Sequence, residues 1–165
     1  MKQTAYFHTS LGMISLTEED GYLVRLDLHP QGDPSPARTT PLLEEGARQL
    51  REYLAGERRT FDLPLRQPGT PFQQKVWQAL ADIPYGEVRS YGQIAAAIGR
   101  PKACRAVGGA NHQNQLPIFL PCHRVVGADG SLTGYGGGLA IKKALLELER
   151  NTLENERPGA ASKEE

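Results

Sequence analysis

The sequence predicts an α/β protein built in two parts, a small sheet with one helix followed by a mostly helical region. Short β-rich runs fill the first third, capped helical patterns fill the rest, and a Pro- and Gly-bearing stretch separates them. Residues 4–9, 13–18 and 22–29 are the expected strands, parted by Ser10-Leu11-Gly12 and Asp20-Gly21. Residues 31–39 are rich in Pro, Gly, Ser and Asp and form a loop. Thr40-Pro41 then supplies an N-cap with proline at the first helical position. Leu43, Ala47, Leu50 and Leu54 follow at helical spacing, and Gly56 closes the helix. Residues 61–65 are a candidate further strand, and 64–69 look like a linker.

A second cap, Thr70-Pro71, opens a helix with Phe72, Val76 and Leu80 on one face, ended by Pro84-Tyr85-Gly86. Ser90 with Gln93 three residues on is a capping box for a short helix over 91–98, stopped by Gly99. Pro101 is expected to open another helix to about residue 107, stopped by Gly108-Gly109. Two short helices joined by Gly99-Arg100-Pro101 make a helix-turn-helix pattern. Residues 111–115 read as a polar turn, 116–120 as an apolar run leading to Cys122, and Asp129-Gly130 as a tight turn. A last helix is expected over 139–149, with a disordered polar tail beyond it. The resulting division is 1–69, 70–153 and a tail of 154–165.

Length and composition fit one ordinary domain or two small ones sharing an interface. No apolar run reaches bilayer-spanning length and the first residues lack a signal-peptide core, so the cytoplasm is the expected compartment. Two cysteines, Cys104 and Cys122, are too few for a disulfide framework or a Cys-rich zinc site, so free thiols are expected. Formal net charge is zero, but its distribution is uneven. From Arg89 to Lys143 there are seven basic residues against one acid, Asp129. That pattern suits a basic working surface on an acidic body.

Cys122-His123 is the candidate chemistry. A thiol at neutral pH is mostly protonated, so a nucleophilic cysteine needs a group that takes its proton. A neighbouring histidine does this, and a carboxylate behind it fixes the tautomer. Glu149 is the candidate carboxylate, on the helix face of Leu145 and Leu146. On the residues alone, Cys122 also reads as a packed core thiol and Glu149 as an exposed helix end. The residue physics stops at a possible Cys–His–Glu nucleophile beside a basic helix-turn-helix.

Pro121-Cys122-His123-Arg124-Val125 resembles the active-site signature of the O6-alkylguanine-DNA alkyltransferases, the methylated-DNA–protein-cysteine methyltransferases. Residues 90–95, 105–110, Asn114, Pro117, Tyr135, Gly137-Gly138, Leu145-Leu146 and Glu149 follow the family in order. The resemblance covers roughly Phe72 to Glu149; the N-terminal third resembles the family mainly in layout. It implies a ribonuclease-H-like N-terminal domain and a winged-helix-like, DNA-binding C-terminal domain. It implies direct repair of DNA by one irreversible transfer of an alkyl group from O6-alkylguanine to Cys122, without cofactor or metal.

The resemblance also implies roles for the residues. His123 acts on Cys122 through a water, Glu149 orients His123, and Asn114 braces the active-site turn and stabilises the thiolate. Tyr91 meets the DNA phosphate and protonates guanine N3. Arg105 enters the minor groove and fills the gap left by the flipped base, with the small Ala103, Ala106 and Gly109 allowing close approach. Lys102 and Arg124 are weaker candidates, as phosphate contacts or as structural or solvated charges. Val125, Pro117, Tyr135 and Gly136 line the substrate pocket. Three features depart from the family: Gln115 after Asn114, Gly136 in place of a small side chain, and Cys104 where alanine is usual. Cys104 is read as a small packing residue. A monomer is expected, with cooperativity on DNA left open, as is O4-alkylthymine activity. Two alternatives stand: a non-catalytic lesion binder, against which Cys122 speaks, and a cysteine hydrolase, which leaves Arg105 without a role.

Overall fold

The computed structural model describes residues 2–32, 38–132 and 138–156. Three strands, β1 (Lys2–Thr9), β2 (Gly12–Glu19) and β3 (Tyr22–Asp27), form an antiparallel sheet in sequence order. Asp20 and Gly21 both take positive φ, the turn geometry whose twist suits a two-residue hairpin. Helix α1 (Pro41–Leu54) is capped by Thr40, whose side chain accepts from Leu43 N. It turns Leu43, Ala47, Leu50 and Tyr53 onto the sheet. Gly46 faces Leu16 and Leu23 so closely that a Cβ would press on both. Its lack of a side chain sets the helix–sheet distance.

The expected strand over 61–65 does not form. A single bridge joins Leu65 to Leu23, where Leu23 N donates to Pro64 O and Arg66 N to Leu23 O. Pro64 has no N–H to donate, so a longer ladder is blocked there. The stretch after it is pinned rather than loose. Gln67 is buried, accepts from Gln115 N, and donates to Asn114 Oδ1 at 3.0 Å.

Helix α2 (Pro71–Ala81) and helix α3 (Tyr91–Ala97) both begin in capping boxes, Thr70/Gln73 and Ser90/Gln93. Helix α4 differs from expectation. It starts at Cys104 rather than Pro101, with Ala103 giving no side-chain cap, and runs through Gly108-Gly109 to His112. Two glycines cost a helix about 2 kcal/mol against alanine. Burial of Val107 and Ala110, and a 2.9 Å bond from Trp77 Nε1 to Ala110 O, act against that cost. Asn111 and His112, expected in a turn, therefore close the helix.

Beyond α4 the chain makes a tight loop, a 3₁₀ turn at Cys122–Arg124, and a two-residue strand β5 (Val125–Val126). That strand pairs in parallel with β4 (Arg89–Ser90), which ties the Cys122 turn to the start of α3. The Asp129-Gly130 turn forms as expected, with Ser131 N donating to Asp129 Oδ1. Helix α5 runs from Leu139 to Asn155, six residues past its expected end, so the expected tail does not begin at 154. Residues 157–165 lie outside the described part. One continuous apolar core joins the sheet, α1 and the later helices. Among the described residues no helix is long and apolar enough to cross a membrane.

Candidate active site

The loop before Cys122 is built from side-chain hydrogen bonds. Asn114 donates to Leu120 O at 3.0 Å and accepts from Leu116 N at 3.0 Å. Within that brace Ile118 holds φ at 73°, a conformation a β-branched residue rarely takes. Leu120 N donates back to Leu116 O, and Cys122 N to Leu120 O at 2.7 Å. From the sheet side, Leu26 N donates to Gln115 O at 2.9 Å. Both parts of the chain thus hold the loop that presents the cysteine.

Cys122 is buried, 4% exposed, yet it lines a cavity of about 310 Å³. The lining includes Asn111, Asn114 and Pro117 from the loop side, and Arg25, Asp27 and His29 from the sheet side. That size and mixed polarity suit one small planar ligand group.

Next in the chain, His123 is fully buried and turned inward. Its Nε2 lies 2.7 Å from Glu149 Oε2. Among the described residues its Nδ1 has no hydrogen-bond partner. Glu149 is a hub. Arg124 grips it with Nε at 2.9 Å to Oε1 and Nη2 at 2.9 Å to Oε2. The Gly86 N–H donates to Oε1 at 2.9 Å, and the Tyr53 hydroxyl donates to Oε2 at 2.5 Å. Gly86 takes φ of 80°, and a Cβ there would collide with Leu153, so glycine alone delivers this N–H.

Burial pushes the Glu149 carboxyl up, but hydrogen bonds and charge from His123 and Arg124 more than reverse this, holding it at about 2. Burial lowers the His123 pKa, and Glu149 only partly offsets it. The pair is therefore a carboxylate and a neutral imidazole. An acceptor-only carboxylate at Nε2 places the ring proton there and leaves the Nδ1 lone pair as a base.

Arg124 does not face DNA. It is buried, with Nη1 also donating to Ile83 O at 2.7 Å and its guanidinium 5.5 Å from the Tyr85 ring centre. A charge so fully paired inside has nothing left for a phosphate, so the structural alternative holds for it. Lys142 is buried too, donating to Val125 O at 2.6 Å. Burial pushes its ammonium pKa down, while the charge of Cys122 pushes it up. Two of the seven basic residues counted from the sequence thus serve the interior.

Lys102, Arg105, Ala106 and Gly109 are all exposed along α4 and the turn before it. Nothing lies near the missing Gly109 side chain, so the helix surface is open there. Cys104, read as a packing residue, is instead exposed at the start of α4, where the helix begins later than expected. Tyr91 is half-buried with its ring against Gly108, and does not line the Cys122 cavity. Val125 is buried and Pro117 lines the cavity. Tyr135 and Gly136 lie outside the described residues.

Sequence reasoning missed Tyr53, Gly86 and the inward role of Arg124. Tyr53 carried a faint signal, a tyrosine within the apolar stripe of α1. Comparison with known proteins agrees with this architecture. Residues 2–67 match the model of the 6-O-methylguanine DNA methyltransferase ribonuclease-like domain, and 71–151 match that of its DNA binding domain. The chain belongs to the 6-O-methylguanine DNA methyltransferase family. It is 54% identical over 151 residues to the constitutive methylated-DNA–protein-cysteine methyltransferase of Bacillus subtilis, covering 86% of this chain and 92% of that one. A crystal structure of Mycobacterium tuberculosis OGT in complex with DNA superposes with a TM-score of 0.83 at 46% identity, covering 91% and 94% of the two chains. An O6-methylguanine DNA methyltransferase from Methanococcus jannaschii gives 0.65 at 30% identity, covering 88% and 92%.

Proposed function

We propose that this protein repairs DNA by direct reversal, taking the alkyl group of O6-alkylguanine onto Cys122. The observation that carries the reading is the buried His123–Glu149 pair immediately after a cysteine that lines the cavity. His123 Nδ1 takes the thiol proton, directly or through one water, and Glu149 steadies the imidazolium that forms. The buried Lys142 ammonium favours the thiolate. The sulfur then attacks the alkyl carbon in line, an S–C bond forms, and the C–O bond breaks with its electron pair going to guanine. A proton delivered to guanine N3, the role given to Tyr91, makes the leaving group neutral. No redox partner is required, and the thioether ends the cycle after one turnover.

DNA binding is assigned to the exposed α4 face, with Arg105 entering the minor groove and occupying the space of the flipped base. Flipping is needed because the reacting carbon is sheltered in the duplex. Lys102 adds a phosphate contact. The protein acts as a monomer, in the cytoplasm. A hydrolase reading is disfavoured because it leaves the exposed, acid-free α4 face and Arg105 without a role.

The test is to incubate the protein with duplex DNA holding one O6-methylguanine and map modified peptides by mass spectrometry. One methyl on Cys122 at a one-to-one endpoint is expected. Repeated turnover, or a methyl on Cys104, overturns the proposal. Arg105→Ala is expected to slow repair of duplex DNA by about 10- to 100-fold, the size of one lost base-site contact. Its reaction with free alkylated base should change far less, which a parallel rate measurement checks.

A further inference from the structure

Tyr53 stands outside the array that the family resemblance supplied, yet it touches its centre. It lies on α1, in the N-terminal part, and is fully buried. Its hydroxyl is 2.5 Å from Glu149 Oε2 and 3.3 Å from His123 Nε2. Its ring is held by Phe61, at 5.4 Å between centres, and by Tyr85 at 6.1 Å edge-on. The oxygen that orients His123 is therefore shared with a donor from the other half of the chain.

We propose that Tyr53 is a positioning residue for alkyl transfer, its hydroxyl holding Glu149 Oε2 and thereby tuning the proton affinity of His123. This rests on the function proposed above. The hydroxyl has one proton and two neighbours. Given to the carboxylate at 2.5 Å, it leaves the phenol oxygen only a long 3.3 Å contact with Nε2, so the bond to Oε2 dominates. Burial and the nearby Glu149 charge both push the phenol pKa upward, so the group stays a donor throughout the working pH range. A hydrogen bond to a carboxylate disperses its charge and weakens its pull on an imidazolium. Tyr53 thus acts against over-stabilising protonated His123, and keeps Nδ1 free to accept the thiol proton.

The other charged and titratable groups around His123 are Arg124 in its own turn, Glu149 and Lys142 on α5, and Cys122 before it. Tyr85 packs beyond Arg124 and beneath Arg59, which pairs with Glu156. Of these, Arg124 and Lys142 act on His123 by charge, and both oppose its protonation. Tyr53 is neutral and acts through Oε2, so its removal shifts proton affinity without changing net charge.

The experiment is the pH profile of the second-order transfer rate to methylated duplex, for wild type and Tyr53→Phe. Phenylalanine keeps the ring packing and removes the hydroxyl. In the variant the Glu149–His123 pair binds its proton more tightly, so the acid limb moves to higher pH by about one unit. A slower variant with an unmoved limb shows a packing role and overturns the proposal. Nitrogen-15 NMR of His123 through a pH titration of both proteins gives a second reading. The imidazole of Tyr53→Phe is expected to take up its proton at higher pH than that of the wild type; coincident titration curves overturn the proposal. If the wild type transfers no methyl, the proposed function fails instead, which separates the two.

Discussion

Glu149→Ala will lower folding stability by about 3–5 kcal/mol, the range for removing one partner of a buried ion pair. The carboxylate is 1% exposed and is the shared acceptor for Arg124, His123, Tyr53 and the Gly86 N–H. Alanine leaves a buried guanidinium with, among the described residues, only the Ile83 carbonyl as a hydrogen-bond acceptor. It also leaves the Gly86 N–H in a loop that a Cβ could not enter. Each unpaired buried donor adds a desolvation cost of about 1–3 kcal/mol. Transfer should slow by about 100-fold or more, because His123 loses the group that fixes its tautomer. Urea unfolding and single-turnover kinetics check the two effects. Glu149→Gln separates them, since the amide oxygen still accepts from Arg124 or Tyr53. If Glu149→Ala unfolds at the wild-type urea midpoint, the hub assignment is wrong.

Much of this was legible because the signals are local. The Thr40, Thr70 and Ser90 caps are read within four residues, and all three helices begin there. Cys122 and His123 are adjacent, and the spacing of α5 put Glu149 on the face of Leu145 and Leu146. The residues alone also allowed an exposed helix end, and the family resemblance was needed to turn it inward, as it stands. What sequence reading misplaced depends on partners far along the chain. Helix α4 survives two glycines because Val107 and Ala110 are buried and Trp77 reaches Ala110. Arg124 and Lys142 were counted as surface charge, although a buried carboxylate and a backbone carbonyl take them up. Pairing of Tyr53 with Glu149 spans 96 positions, and no periodicity carries that information. Residues whose charge is spent internally look like those that meet a ligand until the fold is known.

The same buried array makes the protein sensitive to acid in a defined window. Both titrating members have folded-state pKa values below their unfolded ones: Glu149 at about 2 against 4.5, and His123 below 6.5. The unfolded chain therefore binds these protons first, and stability falls as pH falls. The His123 contribution is fully present above 6.5 and starts to fade below it. The Glu149 contribution is complete above about 4.5 and is lost as pH drops from there toward 2. From its shift alone, Glu149 accounts for about 3 kcal/mol across that lower window. Urea unfolding at a series of pH values from 7.5 to 3 should show a shallow decline first, then a steep one below 4.5. Glu149→Gln has no carboxyl to protonate, so its steep limb should largely vanish even though its stability at pH 7.5 is lower. Glu45 is also held at about 2 by Arg48, but it lies at the surface, where solvent and salt screen the pair. Added salt should therefore leave the steep limb nearly unchanged. A limb that flattens at high salt would place the acid sensitivity on surface pairs such as Glu45–Arg48 instead of the buried carboxylate.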